Sequence, residues 1–195
     1  LNHLTHNNTL IVLHMIGSHG PTYFKRYPIE KRLFIPDCQR SDIQNCSQQQ
    51  LINTYDNTIA YTDFVLSEVI SGLSELAKKE DVETSMLYIS DHGESLGENG
   101  IYLHGLPYAF APEEQTHVPM IYWNDSMQTD FNLNCLNTSA KAHITHDNIF
   151  DTLLSIMSVR TTAYRIGSDP FIQCKSQSAI ARTTVPNRLD TEIVN

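Results

Sequence analysis

Ser85-Met86-Leu87-Tyr88-Ile89-Ser90-Asp91-His92-Gly93-Glu94 is the stretch whose reading decides the fold. Residues 85–89 form a short apolar run of strand length. Asp91 and His92 follow it with a carboxylate and an imidazole side by side, and Gly93 leads towards the Gly-rich run Ser95-Leu96-Gly97-Glu98-Asn99-Gly100. α/β proteins present their sites in this order, at the carboxyl edge of a parallel sheet. Successive strand residues point to opposite faces. Asp91 and His92 therefore share a ligand only where the backbone leaves strand geometry, a departure that Gly93 eases. One oxygen and one nitrogen donor suit Zn2+, and Mn2+ less well.

Outward from that strand, residues 9–17 read as a second, central strand, apolar on both faces. Ser18-His19-Gly20-Pro21-Thr22 has turn chemistry, and residues 23–46 look irregular. Ser47 with Gln50 three positions on forms a capping box. Leu51, Tyr55, Ile59, Leu66, Val69, Leu73 and Leu76 then recur at helical spacing, and Lys78-Lys79 sit favourably at the helix end. This predicts a helix of about seven turns with one face on the sheet. Residues 92–117 are a loop of functional length, and residues 118–123 a third strand. Thr145 caps a helix carrying Ile149, Phe150, Leu153, Leu154 and Met157. The expected fold class is α/β, a mostly parallel sheet flanked by helices. Residues 1–175 form one domain piece, and residues 176–195, polar and aperiodic, are expected to be a disordered tail.

The formal net charge of −9 argues against a nucleic-acid partner, which needs a clustered basic face. Lys25-Arg26 and Lys31-Arg32 are short and read as solvated loops. No stretch approaches the ~20 apolar residues of a membrane span. A strand-like Thr9–Ile16 so near the start suggests a soluble piece of a larger protein. Cys38 and Cys46 flank a polar segment, a natural place for a small disulfide loop. Cys135 and Cys174 are the remaining candidate pair, and four reduced thiols are the alternative.

Nine histidines are present. His3, His6, His117, His143 and His146 sit in polar contexts and read as surface residues, and His14 in an apolar run reads as a core histidine. His19, His92 and His104 remain, each followed by glycine and each on a loop that follows a strand. Asp91 and His92 supply two metal donors, whereas a catalytic zinc takes at least three protein ligands. His19 and His104 complete that shell, bind a second metal, or hold an anionic substrate group. Glu94 binds substrate or accepts a hydrogen bond from a ligating imidazole. No H-E-x-x-H helix, Walker loop, G-x-S-x-G elbow or G-x-G-x-x-G turn is present. Ser18, Thr22, Ser90 and Ser95 read as turn or cap residues rather than nucleophiles.

His14-Met15-Ile16-Gly17-Ser18-His19-Gly20-Pro21, Asn53-Thr54-Tyr55-Asp56-Asn57-Thr58, Ser90 to Gly100 and Tyr102-Leu103-His104-Gly105-Leu106-Pro107 together resemble the lipid A phosphoethanolamine transferases. That family includes the enzymes of polymyxin (colistin) resistance. The resemblance runs from about Thr9 to Cys174. It implies a periplasmic domain of the alkaline-phosphatase and sulfatase superfamily in a Gram-negative inner-membrane protein, anchored by five upstream membrane helices. It also implies a zinc-bound threonine that takes phosphoethanolamine from phosphatidylethanolamine and passes it to a lipid A phosphate. On the matching motifs, Asp91 and His92 would be zinc ligands. His19 and His104, with Glu94 nearby, would serve a second metal or the substrate phosphate, and Cys38–Cys46 would be a family disulfide.

The family's threonine and first zinc-binding glutamate have no counterpart in residues 1–8. The resemblance thus implies the C-terminal part of a catalytic domain, without its nucleophile and inactive alone. The alternatives are another enzyme of the superfamily, such as a phosphoglycerol transferase, sulfatase or phosphodiesterase, or a non-catalytic module that binds metal or lipid A. D-H-G after a strand is shared across the superfamily. His19 and His104 are what favour phosphoethanolamine transfer.

Overall fold

The computed structural model describes residues 9–125, 130–177 and 180. The chain divides into two compact units, Val12–Asn124 and a second made of Leu1–Ile11 with Asp125–Asn195.

In the first unit, helix α1 spans Gln48–Glu80. Ser47 and Gln50 form the expected capping box, and Asp81 ends the helix in the left-handed region with φ 53°. The buried face of α1 differs from the apolar stripe. Leu51 is buried, but its companions are Asn53, Thr54, Asn57, Thr58 and Thr62, while Ile59 is 48% exposed. These polar side chains satisfy a neighbouring segment that has little regular structure of its own. Asn57 Oδ1 accepts from the N–H groups of Leu33 (2.7 Å) and Phe34 (2.8 Å), and its Nδ2 donates to the Phe34 carbonyl (2.9 Å). Asn53 donates to the Pro36 carbonyl, and Thr54 Oγ1 accepts from the Cys38 N–H. Buried backbone groups need partners, and α1 supplies them. The apolar core is accordingly small: Tyr23, Cys38, Ile43, Leu51 and Leu96, with Cys46, Ile52, Tyr55 and Leu103 packed against it.

Strand β1, Ser85–Ile89, pairs with β4, Met120–Asn124, and a short hairpin pairs β2, Ser95–Leu96, with β3, Tyr102–Leu103. Both ladders are antiparallel, so the mostly parallel sheet expected from the alternation is not what the described residues form. Strand direction depends on which neighbour a strand meets, and apolar runs do not encode it. Residues 9–16 form no ladder. Leu10, Ile11, Val12, Leu13 and Ile16 are all more than half exposed. A central strand needs neighbours on both edges and cover on both faces, and the described residues supply neither here. His14 is exposed with them, not a core residue. Residues 92–117, read as one loop, contain the hairpin and helix α2, Glu113–Thr116.

In the second unit, α3 spans Leu133–Ser139, capped by Asn132 Oδ1 on the Cys135 N–H. Thr145 caps a 3₁₀ turn, His146–Asn148, that leads into α4, Ile149–Ile156. Buried Asp151 on α4 accepts from the Arg165 backbone N–H and from its guanidinium at 2.8 and 3.0 Å. Cys135 is bonded to Cys174, as Cys38 is to Cys46 in the first unit, so all four cysteines are oxidised. Apart from residues 176, 177 and 180, the expected tail lies outside the described residues, as do His3 and His6.

Candidate functional site

Three loops of the first unit carry the site. The Ser18–Gly20 loop is held from two sides. Thr58 on α1 donates to Ser18 Oγ at 2.6 Å, and Arg26 Nε donates to the His19 carbonyl at 2.9 Å. Beyond β1 the chain turns sharply as Ser90 Oγ donates to the His92 carbonyl and the Gly93 N–H donates to Gln115. The β2–β3 hairpin brings the third loop. Its register pairs Ser95 with Leu103, so Glu94 and His104 are the next cross-strand pair, and His104 Nδ1 lies 2.9 Å from Glu94 Oε1.

The loops bring His19, His92 and His104 together. Ring centroids are 3.8 Å apart for His92 and His104, 4.7 Å for His19 and His104, and 5.8 Å for His19 and His92. One ligand atom from each imidazole lies within 4.8 Å of the others. Every Nδ1 is already engaged: His19 with the Gly20 carbonyl (2.7 Å), His92 with the Gly93 carbonyl (2.9 Å) and His104 with Glu94. Carbonyl oxygens only accept, so Nδ1 carries the proton in His19 and His92, and Nε2 is left with its lone pair. An imidazole anchored at one nitrogen and open at the other is the usual form of a metal-binding histidine. The donor set therefore fits a transition-metal ion or, when protonated, a phosphate.

Asp91 stands differently. Its side chain is 82% exposed, and Oδ2 lies 4.0 Å from His92 Nε2. Two donors on one zinc ion at about 2 Å each sit about 3.3 Å apart, so the pair is close to that spacing but somewhat wider. Glu94 is the buried member, its side chain 3% exposed. Oε1 accepts from the Gly20 N–H (3.2 Å) as well as meeting His104, and Oε2 accepts from the Tyr23 hydroxyl (2.9 Å). Burial, then the Glu94 charge and hydrogen bond, push the Tyr23 hydroxyl far above the usual tyrosine range. Burial and the same charge push Tyr55 up to about 12.

The glycines beside the histidines have reasons of their own. A Cβ on Gly20 would meet the Tyr23 hydroxyl at 2.5 Å and Leu103 at 2.6 Å, and one on Gly93 would run into the Glu114 carbonyl. Both are needed for close packing within the chain. Tyr23 has no signal in the sequence: it is one of nine tyrosines in a segment without periodicity. Ser18, Thr22, Ser90 and Ser95 all act in local hydrogen bonds, with Thr58, Arg26, His92 and Gln115 respectively.

Similar proteins carry the same region. The chain is 48% identical over 173 residues to phosphoethanolamine transferase EptA of Escherichia coli K12, covering 87% of this chain and 31% of that protein. It is 47% identical over 150 residues to phosphatidylethanolamine transferase Mcr-1 of Escherichia coli, covering 77% and 26%. The chain thus spans about a third or less of the curated relatives it matches. Among solved structures, the soluble domain of lipooligosaccharide phosphoethanolamine transferase A from Neisseria meningitidis superimposes with TM-score 0.78 at 42% identity, covering 84% of this chain and 50% of that one. The C-terminal periplasmic domain of phosphoethanolamine transferase EptC from Campylobacter jejuni does so with TM-score 0.69 at 46% identity, covering 80% and 49%. Both have an alkaline-phosphatase/sulfatase-like architecture, of which this chain matches a part. Among the described residues no helix is long and apolar enough to cross a membrane. The family model described as Sulfatase matches residues 1–159, a span that contains every residue of the cluster, and the chain belongs to the sulfatase family.

Proposed function

We propose that this chain is part of a zinc-dependent transferase that moves phosphoethanolamine from phosphatidylethanolamine to a lipid A phosphate. One observation carries the reading. Three imidazoles with every Nδ1 engaged converge within a region 48% identical to a protein named phosphoethanolamine transferase. In this reading Asp91 and His92 hold zinc, while His19 and His104 hold the substrate phosphate or a second metal, and Glu94 stands behind them. Zinc, when bound, supplies Lewis-acid stabilisation of phosphoryl oxygens and lowers the pKa of a bound hydroxyl. The chain's own part is positioning and charge neutralisation, which dominate phosphoryl transfer. Imidazoles fixed by hydrogen bonds lose little freedom when a phosphate arrives.

The place of action follows from the substrates: the periplasmic side of a Gram-negative inner membrane, with helices elsewhere in the longer protein as anchor. The acceptor phosphate gains an ethanolamine amine, its net negative charge falls, and cationic polymyxins bind less well. Two solved relatives are a C-terminal periplasmic domain and an integral membrane protein. The 195 residues alone are expected to be inactive, because the resemblance places the threonine nucleophile outside them. Expression of the longer protein in a susceptible Gram-negative host, followed by mass spectrometry of lipid A, tests the reading. Lipid A carrying phosphoethanolamine, lost in the His104→Ala variant, supports it. Unmodified lipid A with a folded, membrane-inserted protein overturns it.

A further inference from the structure

We infer that Tyr23 is a positioning residue for the cluster, acting through Glu94 on His104. Glu94 is then a buried acceptor that holds the imidazole and does not itself touch substrate. The inference rests on reading the cluster as a metal and phosphate site, and it deepens that reading by one layer. Both Glu94 oxygens are committed inside the chain: Oε2 to the Tyr23 hydroxyl, Oε1 to the Gly20 N–H and His104 Nδ1. With its side chain 3% exposed, Glu94 has no free face to offer a ligand. Rotation about its terminal torsion is soft, so the Tyr23 contact at Oε2 helps to hold Oε1 between the Gly20 N–H and His104. Tyr23 makes that contact from a ring 1% exposed and packed edge-on against Tyr55 at 5.7 Å. The same carboxylate ties the His19-Gly20 loop to the His104 loop, so one hydroxyl fixes the spacing of two imidazoles. Among the described residues His104 Nδ1 meets Glu94 where His19 and His92 meet a carbonyl, so its orientation comes from Glu94.

The test compares two phenylalanine variants of the full chain. Tyr23→Phe keeps the ring and removes only the hydroxyl. Tyr27→Phe removes a second tyrosine–carboxylate bond, to Asp37 at 2.8 Å, less deeply buried and away from the cluster. Ring-nitrogen NMR of His104 is read first, because it needs no metal. Tyr23→Phe is expected to move His104 from the Nδ1–H tautomer towards the Nε2–H tautomer, with Tyr27→Phe matching the parent. Titration with Zn2+ alone is read second. Where His104 is itself a ligand, Tyr23→Phe should weaken binding by about tenfold, the lower end for loss of support behind a ligating imidazole, with Tyr27→Phe unchanged. Should Tyr23→Phe fail to fold, Glu94→Gln is expected to reproduce both effects. An unaltered tautomer, or equal effects of the two tyrosine variants, overturns the inference. If the tautomer moves while the parent chain binds no Zn2+, the positioning role stands and the zinc reading fails.

Discussion

At the scale of single residues, the cluster is governed by close contacts more than by charge. Gly20→Ala would press a methyl group on the Tyr23 hydroxyl and Leu103. Overpacking of this kind costs about 1–3 kcal/mol, and a lowered urea midpoint with an unchanged slope would register it. A midpoint equal to the parent's would mean that the loop relaxes freely. His92→Ala should weaken Zn2+ binding by about tenfold or more, read by chelator competition. Tight binding that survives the substitution would remove His92 from its proposed role. The three histidines were legible because each precedes a glycine on a loop after an expected strand. The reason behind two of those glycines was not: His19 and His92 use the carbonyl of the next residue as their Nδ1 acceptor, and Gly20 and Gly93 let the backbone pack closely there. Hydrophobic patterning does not reveal such contacts, nor does it single out Tyr23.

At the scale of elements, α1 acts as a rack of polar side chains. Asn57→Ala leaves the N–H groups of Leu33 and Phe34 without their acceptor, and should cost about 1–3 kcal/mol in thermal or denaturant unfolding. The loss should be larger than for Ser47→Ala, where a capping oxygen is worth about 1 kcal/mol. The start of α1 and its end near Lys78-Lys79 could be read from the sequence because caps are local, but its 33 residues make about nine turns, longer than the about seven that the apolar spacing marks. Its buried face could not be read. Asn53, Thr54, Asn57 and Thr58 look like solvent-facing residues until the segment they serve is in place, whereas Ile59, part of the apolar stripe, is 48% exposed. The β1 strand was legible as a strand, but its antiparallel pairing with β4 depends on a neighbour far along the chain.

For the molecule as a whole, buried and half-buried tyrosines contribute to the response to alkali. Burial holds Tyr23, Tyr27, Tyr55 and Tyr164 above the ordinary value of 10, with Tyr27 and Tyr55 raised to about 12. Above pH 10 the unfolded chain loses these protons before the folded one does. The contribution is thus fully present below pH 10 and fades as pH climbs towards the folded values, about 12 for Tyr27 and Tyr55. The thermal midpoint should fall across that window, less steeply in Tyr23→Phe; a flat profile would contradict the burial of these hydroxyls. The two disulfides act on separate units. Cross-links at separations of 8 and 39 residues contribute about 2.5 and about 4 kcal/mol in the chain-entropy model. Paired Cys→Ser variants followed by calorimetry should rank 135–174 as the costlier loss. The even number of cysteines made an oxidised chain legible, whereas the two-unit division was not, because no composition shift marks Asp125.

The hairpin between Glu94 and His104 works as a caliper. Strand side chains alternate faces with a period of two, so inserting or deleting a single residue within the paired positions Ser95–Leu96 or Tyr102–Leu103 would turn His104 away from Glu94 by half a revolution. Natural variation within those paired positions should therefore come as substitutions or as two-residue steps, and length there is a stricter constraint than identity.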